Sequence, residues 1–348
     1  MPAQVALCAA LVWSAFLVAH LLLNGRWWGW LLPSLIPPPL FVAVPALLAL
    51  LGLLAGGRTG LTAAALGAAA LAAGARQSGI TPKALHRGRT AASPADAVRL
   101  VSWNTQHWCQ NTDPDRFYTF LRELDADVYL LQEYSHDHFD GTYELIDDES
   151  RLRAAFPEHQ IATARGLVTL SRLPIGDVVE TAARRTLRVD LQLPDRRVLS
   201  TFNVHIPVQL RLISPLRAEF YRQVRQRAAD RKKEYEGLAA DVADCRTPAL
   251  IAGDFNTSPA IGDARRIARL GKDAVRLTGR LYPTSWQPRP GMRWWRLDWL
   301  LTTPGAHVHS YRFRDPHGLS DHSVQEVTVS LRTTRPAGRH ARHLPPRH

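Results

Sequence analysis

Eight polar residues lie at or just past the ends of apolar runs between positions 104 and 322 of this chain. They are Asn104, Glu133, His205, Asp254, Asn256, Asp298, Asp321 and His322. Carboxylates, amides and imidazoles that meet at the ends of neighbouring strands can hold a hard divalent cation and promote attack on a phosphate ester. The sequence therefore predicts a metal-assisted hydrolytic site that is assembled from distant segments.

Each of these residues, taken alone, also has a structural explanation. An aspartate that follows a glycine, such as Asp254, usually caps a helix or forms a turn. Glu133 could be a solvated strand end, and His205 could be a buried structural histidine. Asp298 could pair with Arg296 across a strand. The joint occurrence of all eight, in strand-end positions, favours a functional site over eight separate structural roles.

The segments that carry these residues resemble those of the endonuclease/exonuclease/phosphatase superfamily, which includes pancreatic-type DNases. The strongest pieces are GDFN at 253–256, followed by Pro259, and SDH at 320–322; supporting pieces are QE at 132–133, VTLSRLPI at 168–175, NVH at 203–205 and RLDWLL at 296–301. The resemblance covers roughly 99–331. It implies an α/β fold of the DNase I-like type: a four-layer α/β sandwich, with two packed sheets flanked by helices and the site at one end.

The resemblance also implies roles for five of the eight residues in metal binding and in activation of the attacking water. Glu133, with Asn104 and Asp321 nearby, would hold Mg²⁺ or Mn²⁺, since such ions prefer oxygen ligands. Asp254 would orient or deprotonate the attacking water, and Asn256 would donate a hydrogen bond to a phosphate oxygen.

The remaining residues would act on the charged transition state. His205 and His322 can donate hydrogen bonds to it, and Asp298 would hold His322 in one tautomer and raise its basicity. The second catalytic carboxylate that nuclease members carry after the SRLPI segment has no clear match, although Glu180 lies in that region. No tyrosine can be assigned to the extra position of abasic-site endonucleases. These departures weaken a nuclease interpretation more than a general hydrolase interpretation.

The first 76 residues differ in composition from the rest of the chain. They contain no Asp or Glu and three basic residues, Arg26, Arg58 and Arg76. Three apolar stretches, at about 5–23, 40–55 and 61–75, each approach the length that crosses a bilayer. We predict a membrane anchor at 1–76 with about three transmembrane helices, the third being the shortest.

Two alternatives to membrane spans are weaker. Helices buried in a soluble domain would show a polar face, which these runs lack. A cleaved signal peptide would carry a basic region before its apolar core, and none precedes the first stretch. The tryptophans at 27, 28 and 30 also follow the first stretch, where indoles favour the membrane interface.

The orientation of the anchor rests on conflicting signals. Arg76, Lys83, Arg87 and Arg89 after the third stretch favour a cytoplasmic catalytic domain, whereas Arg58 weakly favours the reverse. The three-span arrangement is similar to actinobacterial membrane proteins of the teicoplanin-resistance type, whose catalytic domain faces outward. That resemblance leads us to predict a multi-pass cell-membrane protein with an extracytoplasmic catalytic domain.

The net charge of +12 is not spread evenly. The tail at 332–348 contributes five arginines and is predicted to be disordered, and the linker at 77–98 is also basic. The domain at 99–331 retains only +2, which is a poor electrostatic match for a long polyanion. Nucleic acid is therefore a possible but less favoured partner. The anchor favours the lipid bilayer and a phosphorylated, lipid-linked substrate.

These observations predict a membrane-anchored, divalent-metal-dependent phosphohydrolase that cleaves phosphodiester or pyrophosphate bonds. The alternatives are a surface nuclease and a non-catalytic membrane protein that binds a phosphorylated ligand. The three cysteines add little: a disulfide between Cys109 and Cys245 is conceivable outside the cell, but two unpaired thiols are favoured because the spacing matches no known pairing or zinc motif.

Overall fold

A computed structural model describes residues 1–84, 93–138, 142–210, 214–289 and 291–332 of the chain. The helices in these residues are α1 (Pro2–Leu23), α2 (Leu31–Ser34), α3 (Leu40–Ala55), α4 (Gly57–Gly74), α5 (Pro114–Glu123), α6 (Glu149–Ala155), α7 (Ala218–Asp244) and α8 (Ala264–Leu270). The first four precede every strand, and the other four are interleaved with strands.

The strands begin at residue 98, one position before the predicted domain boundary. They are β1 (Val98–Asn104), β2 (Val128–Gln132), β3 (Ser135–Asp137), β4 (Tyr143–Leu145), β5 (Gln160–Ala164), β6 (Leu167–Ser171), β7 (Ile175–Val179), β8 (Thr186–Gln192), β9 (Val198–His205), β10 (Ala249–Asp254), β11 (Lys272–Asp273), β12 (Asp298–Thr302), β13 (Ala306–Arg314) and β14 (Val324–Leu331). The apolar runs that lead to Asn104, Glu133, His205 and Asp254 form the strands β1, β2, β9 and β10.

Two six-stranded sheets share the same plan. Their orders are β13-β14-β1-β2-β6-β5 and β11-β12-β10-β9-β8-β7, and β3 pairs with β4 in a separate hairpin. Each large sheet has one parallel pair at its centre, β1 with β2 and β9 with β10, and its other pairs are antiparallel. The carboxyl ends of four central strands therefore meet at one end of the molecule.

Alternation along the strands builds four layers. On β1, Leu100 points into the core between the two sheets, whereas Val101 points into a second core with Phe117 of α5. On the other sheet, Ile251 of β10 packs with Leu238 of α7. Side chains alternate between the faces of a strand, so one apolar run supplies two cores. The predicted four-layer α/β sandwich is confirmed.

A capping residue fixes the start of α5. The side chain of Asp113 accepts a hydrogen bond of 3.0 Å from the backbone N–H of Asp115, and Pro114 occupies the first helical position of α5. Both features favour helix initiation at this point. The buried face of α5, with Phe117 and Leu121, then covers the first sheet.

The amino-terminal helices pack tightly against one another. Gly52 on α3 faces Gly60 on α4, where an added Cβ would lie 2.5 Å from the backbone oxygen of Gly52. Gly67 and Gly74 of α4 make similar approaches to the backbone of α3. Such close contact between helices requires small residues. The three apolar stretches therefore form one compact bundle.

Only the first of these helices meets the requirements of a membrane span. Among the described helices, α1 alone is long and apolar enough to cross a bilayer by itself, and a signal sequence near the amino terminus could meet the same requirements. The second helix, α3, is apolar but has 16 residues. The prediction of three spans is thus supported at α1 and stays a prediction for the other two helices.

The bundle contacts the α/β domain through the end of α1. The side chain of Asn24 donates to the carbonyl oxygen of Ala260 at 2.6 Å and accepts from the backbone N–H of Gly262 at 2.8 Å. Leu17 and Phe41 pack against Ala260. The backbone N–H of Thr81, within the predicted linker, donates to Leu281 at 2.8 Å, so the start of that segment lies against the domain.

Other predictions concern the termini and the thiols. Residues 85–92 of the predicted linker and 333–348 of the predicted tail lie outside the described residues. Cys109 packs at the edge of the core under α5, whereas Cys245 packs at the edge of the core under α7. Both are free thiols, as the favoured alternative predicted.

Candidate active site

The parallel strand pairs deliver the first four candidate residues to one place. Asn104 ends β1 and Glu133 directly follows β2, while His205 ends β9 and Asp254 ends β10. The two sheets contribute equivalent positions, because these four residues lie at the carboxyl ends of the two parallel pairs, β1 with β2 and β9 with β10. The sequence prediction that these distant side chains lie together agrees with this geometry.

Two further strands complete the set from the opposite direction. Asp298 is the first residue of β12 and pairs in register with Asp254. Asp321 and His322 lie just before β14, which runs antiparallel to β1. Strands of both directions thus present polar residues at the same end of the sandwich.

Local backbone geometry explains part of the GDFN motif. Gly253 has a φ of +146°, and an added Cβ would lie 1.9 Å from the carbonyl oxygen of Val204 on the neighbouring strand. No other residue fits there without moving that strand. Glu133 and Asn256 adopt left-handed backbone with φ of 61° and 46°. Non-glycine residues in this region are strained, and such strain clusters at functional sites.

A single amide joins the two sheets at the centre of the site. The Nδ2 of Asn104 donates to Glu133 Oε1 and to Asp254 Oδ2, each at 3.0 Å. Its Oδ1 accepts from the backbone N–H of Gln106 at 3.0 Å, which fixes the orientation of the amide. The Asn104 amide nitrogen is thus a donor between two carboxylates, and the predicted role of its oxygen as a metal ligand stays a prediction.

Asn256 is similarly occupied. Its Nδ2 donates to the carbonyl oxygen of Ile206 at 2.9 Å and to Asp254 Oδ2 at 3.0 Å, and its backbone N–H donates to Asp254 Oδ1 at 2.7 Å. Asn256 therefore holds the Asp254 carboxylate in place. Its predicted hydrogen bond to a phosphate oxygen stays a prediction.

His322 lies between two aspartates. Its Nδ1 is 2.9 Å from Asp298 Oδ2, and its Nε2 is 3.8 Å from Asp254 Oδ2. The other carboxylate oxygen of Asp298 is buried and has no hydrogen-bond partner among the described residues. The predicted pairing of Asp298 with His322 agrees with this contact, while Arg296 pairs instead with Asp273.

Burial and mutual charge shift the pKa values of this pair. Burial raises the pKa of Asp254 to about 7, although the charge of His322 opposes the shift. Burial acts to lower the pKa of His322, but the negative charges of Asp298 and Asp254 outweigh it and raise that pKa well above its ordinary value. Near neutral pH, His322 is therefore an imidazolium that faces a carboxyl group poised to exchange a proton.

The second histidine behaves in the opposite way. His205 Nε2 lies 3.5 Å from Glu133 Oε1, yet burial dominates and lowers the pKa of His205 to about 4. Burial also acts to raise the pKa of Glu133, but the charges of His205 and His107 and the amide of Asn104 lower it overall. At neutral pH this half of the site contains a neutral imidazole and an ionised carboxylate.

The donor set fits a hard divalent cation. Ligand atoms of Asp254, Asp298 and His322 lie within 4.8 Å of one another, and Asp298 brings its unpartnered oxygen to this cluster. Buried carboxylates without cationic partners are costly unless a cation or proton neutralises them. His322 neutralises one of the two charges of Asp254 and Asp298. Glu133 adds a third carboxylate, whose neighbour His205 is neutral, so the site keeps an excess of negative charge that such an ion would neutralise.

Asp321 lies at the edge of the set. Its Oδ1 is 3.9 Å from His322 Nε2, and its Oδ2 accepts a hydrogen bond of 2.8 Å from the indole of Trp286. The structure thus brings all eight predicted residues to one end of the sandwich, with Asp321 more exposed than the others in the histidine–aspartate cluster.

Sequence reasoning missed two supporting residues. The backbone N–H of His107 donates to Glu133 Oε2 at 2.9 Å, and its ring nitrogen lies 3.4 Å from the same oxygen. The hydroxyl of Ser285 accepts from the backbone N–H of Asp298 at 3.0 Å. The polar run that follows Asn104 could have indicated His107, whereas no local pattern indicates Ser285. In contrast, no described hydrogen bond or ion pair joins Glu180 to the site.

This combination of sheet plan and strand-end chemistry matches a known family. Residues 101–322 correspond to the endonuclease/exonuclease/phosphatase family, a match that spans more than half of the chain. The chain belongs to this family. Its members are typically phosphoric ester hydrolases that use divalent metal ions. No protein of curated function matches the sequence.

Solved structures of the family are similar to the domain at low sequence identity. An endonuclease/exonuclease/phosphatase from Beutenbergia cavernae shares 18% identity, with 68% of this chain and 72% of that chain covered and a TM-score of 0.48. The catalytic domain of human Nocturnin, solved with sulfate, shares 15% identity over 72% and 100% of the chains at a TM-score of 0.47. An AP endonuclease from Leishmania major shares 14% identity over 73% and 94% at 0.48.

Proposed function

We propose that this protein is a membrane-anchored phosphohydrolase that uses Mg²⁺ or Mn²⁺ to cleave phosphodiester or pyrophosphate bonds of a lipid-linked substrate. One observation carries the proposal: Asp254 lies six residues before Ala260, whose carbonyl oxygen accepts a hydrogen bond from Asn24 at the end of α1. Six residues span at most about 20 Å. The reacting groups therefore lie within that distance of a helix suited to a membrane.

The reaction begins with activation of water. Asp254 has a pKa raised to about 7 by burial, which suits a group that accepts a proton near neutral pH. Asn256 orients the Asp254 carboxylate through two donors, so the base meets the water in one geometry. The water oxygen forms a bond to phosphorus while its proton passes to Asp254. The bond from phosphorus to the bridging oxygen of the ester or pyrophosphate breaks, and that oxygen leaves with the remaining part of the substrate and takes a proton from His322.

Charged and neutral donors then stabilise the developing negative charge. His322 carries a proton at neutral pH and is held by Asp298, so its Nε2 can donate to a phosphate oxygen or to the leaving oxygen. His205 is neutral and offers an N–H without adding charge. When bound, the metal ion would be held by Glu133 with Asn104 and Asp321, and would neutralise charge on the phosphate oxygens.

The anchor supports the lipid-linked part of the proposal. Large apolar side chains point outward along α1 and α3: Val5, Leu11, Val12, Val18, Leu22, Leu47, Leu50, Leu51, Leu53 and Leu54. Contiguous apolar surface of this kind is unstable in water and typical of contact with lipid. We propose that α1, α3 and α4 all cross the membrane. Confinement to the bilayer then raises the effective concentration of a lipid-linked phosphate at the site.

We further propose that the catalytic domain faces outward. Arg58, at the start of α4, lies at the end of the bundle opposite the domain, because α1 and α4 both end at the domain. A basic residue there favours a cytoplasmic location for that end of the bundle. A reporter that is active only in the cytoplasm, fused after residue 348, should stay inactive; an active reporter would reverse the assignment.

Substrate class is tested by offering three phosphate esters in parallel to the purified full-length protein in detergent micelles with Mg²⁺. A polyprenyl pyrophosphate, a phospholipid and plasmid DNA are each supplied, with His322→Ala as the blank. Turnover of a lipid-linked substrate that disappears in the variant supports the proposal. Cleavage of DNA alone would instead make the protein a tethered nuclease, and turnover of none would favour a non-catalytic role.

A further inference from the structure

A cavity of about 390 Å³ lies between the end of the membrane bundle and the catalytic domain. Its walls come from the turn after α1, from α7, and from the segment that leads into α8. Five basic residues line it, namely Arg26, Arg225, Arg231, Lys232 and Arg266. We call this cavity the basic wedge. Its volume falls within the range of small-molecule sites, roughly 300–1,000 Å³.

The basic wedge has more positive charge than its own residues neutralise. Asp263 is the one acidic residue lining it, and its carboxylate is already shared by Arg231 at 3.0 Å and Arg266 at 2.6 Å. Within the described chain, neither Arg26 nor Arg225 takes part in an ion pair. The surplus of cations favours an anionic ligand.

The positive charges of the wedge also affect the pKa of a neighbouring arginine, Arg265. Arg265 lies beside the wedge, and burial followed by the charges of Arg26 and Arg266 lowers its pKa. Its guanidinium donates to the backbone oxygen of Asn24 rather than to a carboxylate.

With α1 crossing the membrane as proposed, the wedge would lie at the depth of lipid head groups. Arg26 follows the last residue of α1 by three positions, and Trp27 and Trp28 both line the cavity. Trp27 is 51% exposed. Tryptophan and arginine at the end of a membrane helix occupy the interface between hydrocarbon and water. An anion that is abundant at this depth is the phosphate of a phospholipid.

We propose that the basic wedge binds the phosphate head group of an anionic phospholipid, as a site separate from the catalytic centre. None of the eight catalytic candidates lines it. The inference rests on the membrane location in the proposed function, not on the reaction. Basic pockets beside membrane helices bind such head groups in this way.

The bound lipid would also steady the catalytic loop. Arg231 is buried, and its Nη2 donates to the Thr257 hydroxyl at 2.6 Å, one residue after Asn256. The same guanidinium bonds Asp263 on the wall of the wedge. Arg231 therefore connects the lipid site to the segment that holds the Asp254 carboxylate.

The experiment is native mass spectrometry of the full-length protein in detergent, titrated with phosphatidylglycerol or with phosphatidylcholine. We expect phosphatidylglycerol to bind more tightly. Arg225→Glu combined with Lys232→Glu should weaken its binding roughly 10- to 30-fold, because two cations near a head group each contribute about one power of ten or less. Lys233→Glu combined with Arg246→Glu is the matched control, since both residues are exposed and neither lines the wedge. The control should bind as the wild type does.

Several results would overturn the inference. Equal binding of the two lipids, undiminished phosphatidylglycerol binding by the wedge variant, or an equal loss in the control would each remove the site. Displacement of the lipid by inorganic phosphate at millimolar concentration would mean that the wedge binds free phosphate instead. His322→Ala must retain lipid binding. If it does so while no substrate is turned over, the lipid site stands and the proposed reaction fails.

Discussion

The acidic centre and the basic wedge gather opposite charges, although we propose that both bind a phosphate group at a membrane. The acidic centre places Glu133, Asp254 and Asp298 together and leaves a buried carboxylate oxygen without a partner, so it favours a cation. The proposed lipid site instead gathers five basic residues around one carboxylate, so it favours the anion itself. A single loop of nine residues, from Phe255 to Asp263, separates the two.

The two regions also differ in how rigidly they are built. Glu133 and Asn256 hold left-handed backbone that costs energy, and the carboxylate of Asp254 accepts three hydrogen bonds of 3.0 Å or less. No non-glycine residue that lines the wedge has such backbone geometry. Chemistry requires fixed geometry, whereas charge attraction to a mobile head group does not. The difference predicts that mutations will separate the functions.

Substitution of His322 is expected to separate turnover from lipid binding most strongly. Loss of this donor through His322→Ala, or loss of the base through Asp254→Asn, should lower kcat roughly 10²–10⁴-fold. Phosphatidylglycerol binding should not change, because neither residue lines the wedge. His307→Ala, which removes an exposed histidine on β13, is the control and should keep full turnover. Wild-type turnover by either site variant would show that the acidic centre is not the reacting site.

Arg231 tests whether the two regions share a structural element. Arg231→Ala should lower the free energy of unfolding by about 1–3 kcal/mol, because the Pro207 carbonyl oxygen and the Thr257 hydroxyl lose a buried donor while Arg266 still pairs with Asp263. Denaturation of the full-length protein in detergent, followed by tryptophan fluorescence, measures the change. Lys233→Ala on the same helix should shift it by no more than about 0.5 kcal/mol. A similarly small effect for Arg231 would mean that these buried contacts do not stabilise the loop.

Glu133 sharpens the assignment of the cation. Glu133→Gln removes the ionised carboxylate of a proposed metal ligand. It should weaken Mg²⁺ binding by more than about 10–100-fold, because that is the loss caused by removal of a residue that only contacts a metal ligand. Glu180→Gln should leave metal affinity as it is, because no described contact connects Glu180 to the site. Calorimetric titration with Mg²⁺ compares the two variants. If both variants lost the same affinity for Mg²⁺, Glu180 would be the second catalytic carboxylate that nuclease members of the family carry.

The smallest expected effect is a contrast in pH dependence. Burial raises the pKa of Asp254 to about 7, so a cation that binds beside it must displace a proton at lower pH. Mg²⁺ affinity should therefore rise with pH up to about 7, by no more than about tenfold per unit, and then level off. Lipid binding at the wedge should stay constant between pH 6 and 8, because Arg and Lys remain charged. Titrations with Mg²⁺ and with phosphatidylglycerol at several pH values measure both affinities. The predicted contrast would be wrong if both affinities changed with pH in the same way.

Much of the fold and of the site could be predicted from residues in the sequence. Alternating runs such as LVSWN and LIAGD gave the strands, because one face of each strand packs in each core. Strand-end polar residues gave the site, because the parallel pairs end on the same side. Asp298 and His322 could be paired only through the family resemblance, since 24 residues separate them.

Other features could not be predicted because they depend on packing between distant segments. Ser285 supports Asp298 through a backbone contact that no local pattern encodes. The contact of Asn24 with the loop after Asp254 joins positions more than two hundred residues apart. The basic wedge likewise forms only when the turn after α1 meets α7, so a count of net charge along the chain could not reveal it.

The most direct test of the account is ³¹P NMR of the full-length protein reconstituted into vesicles that contain a polyprenyl pyrophosphate and Mg²⁺. The wild type should convert the phosphorus signal of the substrate into that of the product. No conversion should occur after a chelator is added or with His322→Ala. Conversion at the same rate by the wild type and His322→Ala would contradict the account, since the acidic centre would then have no part in the reaction.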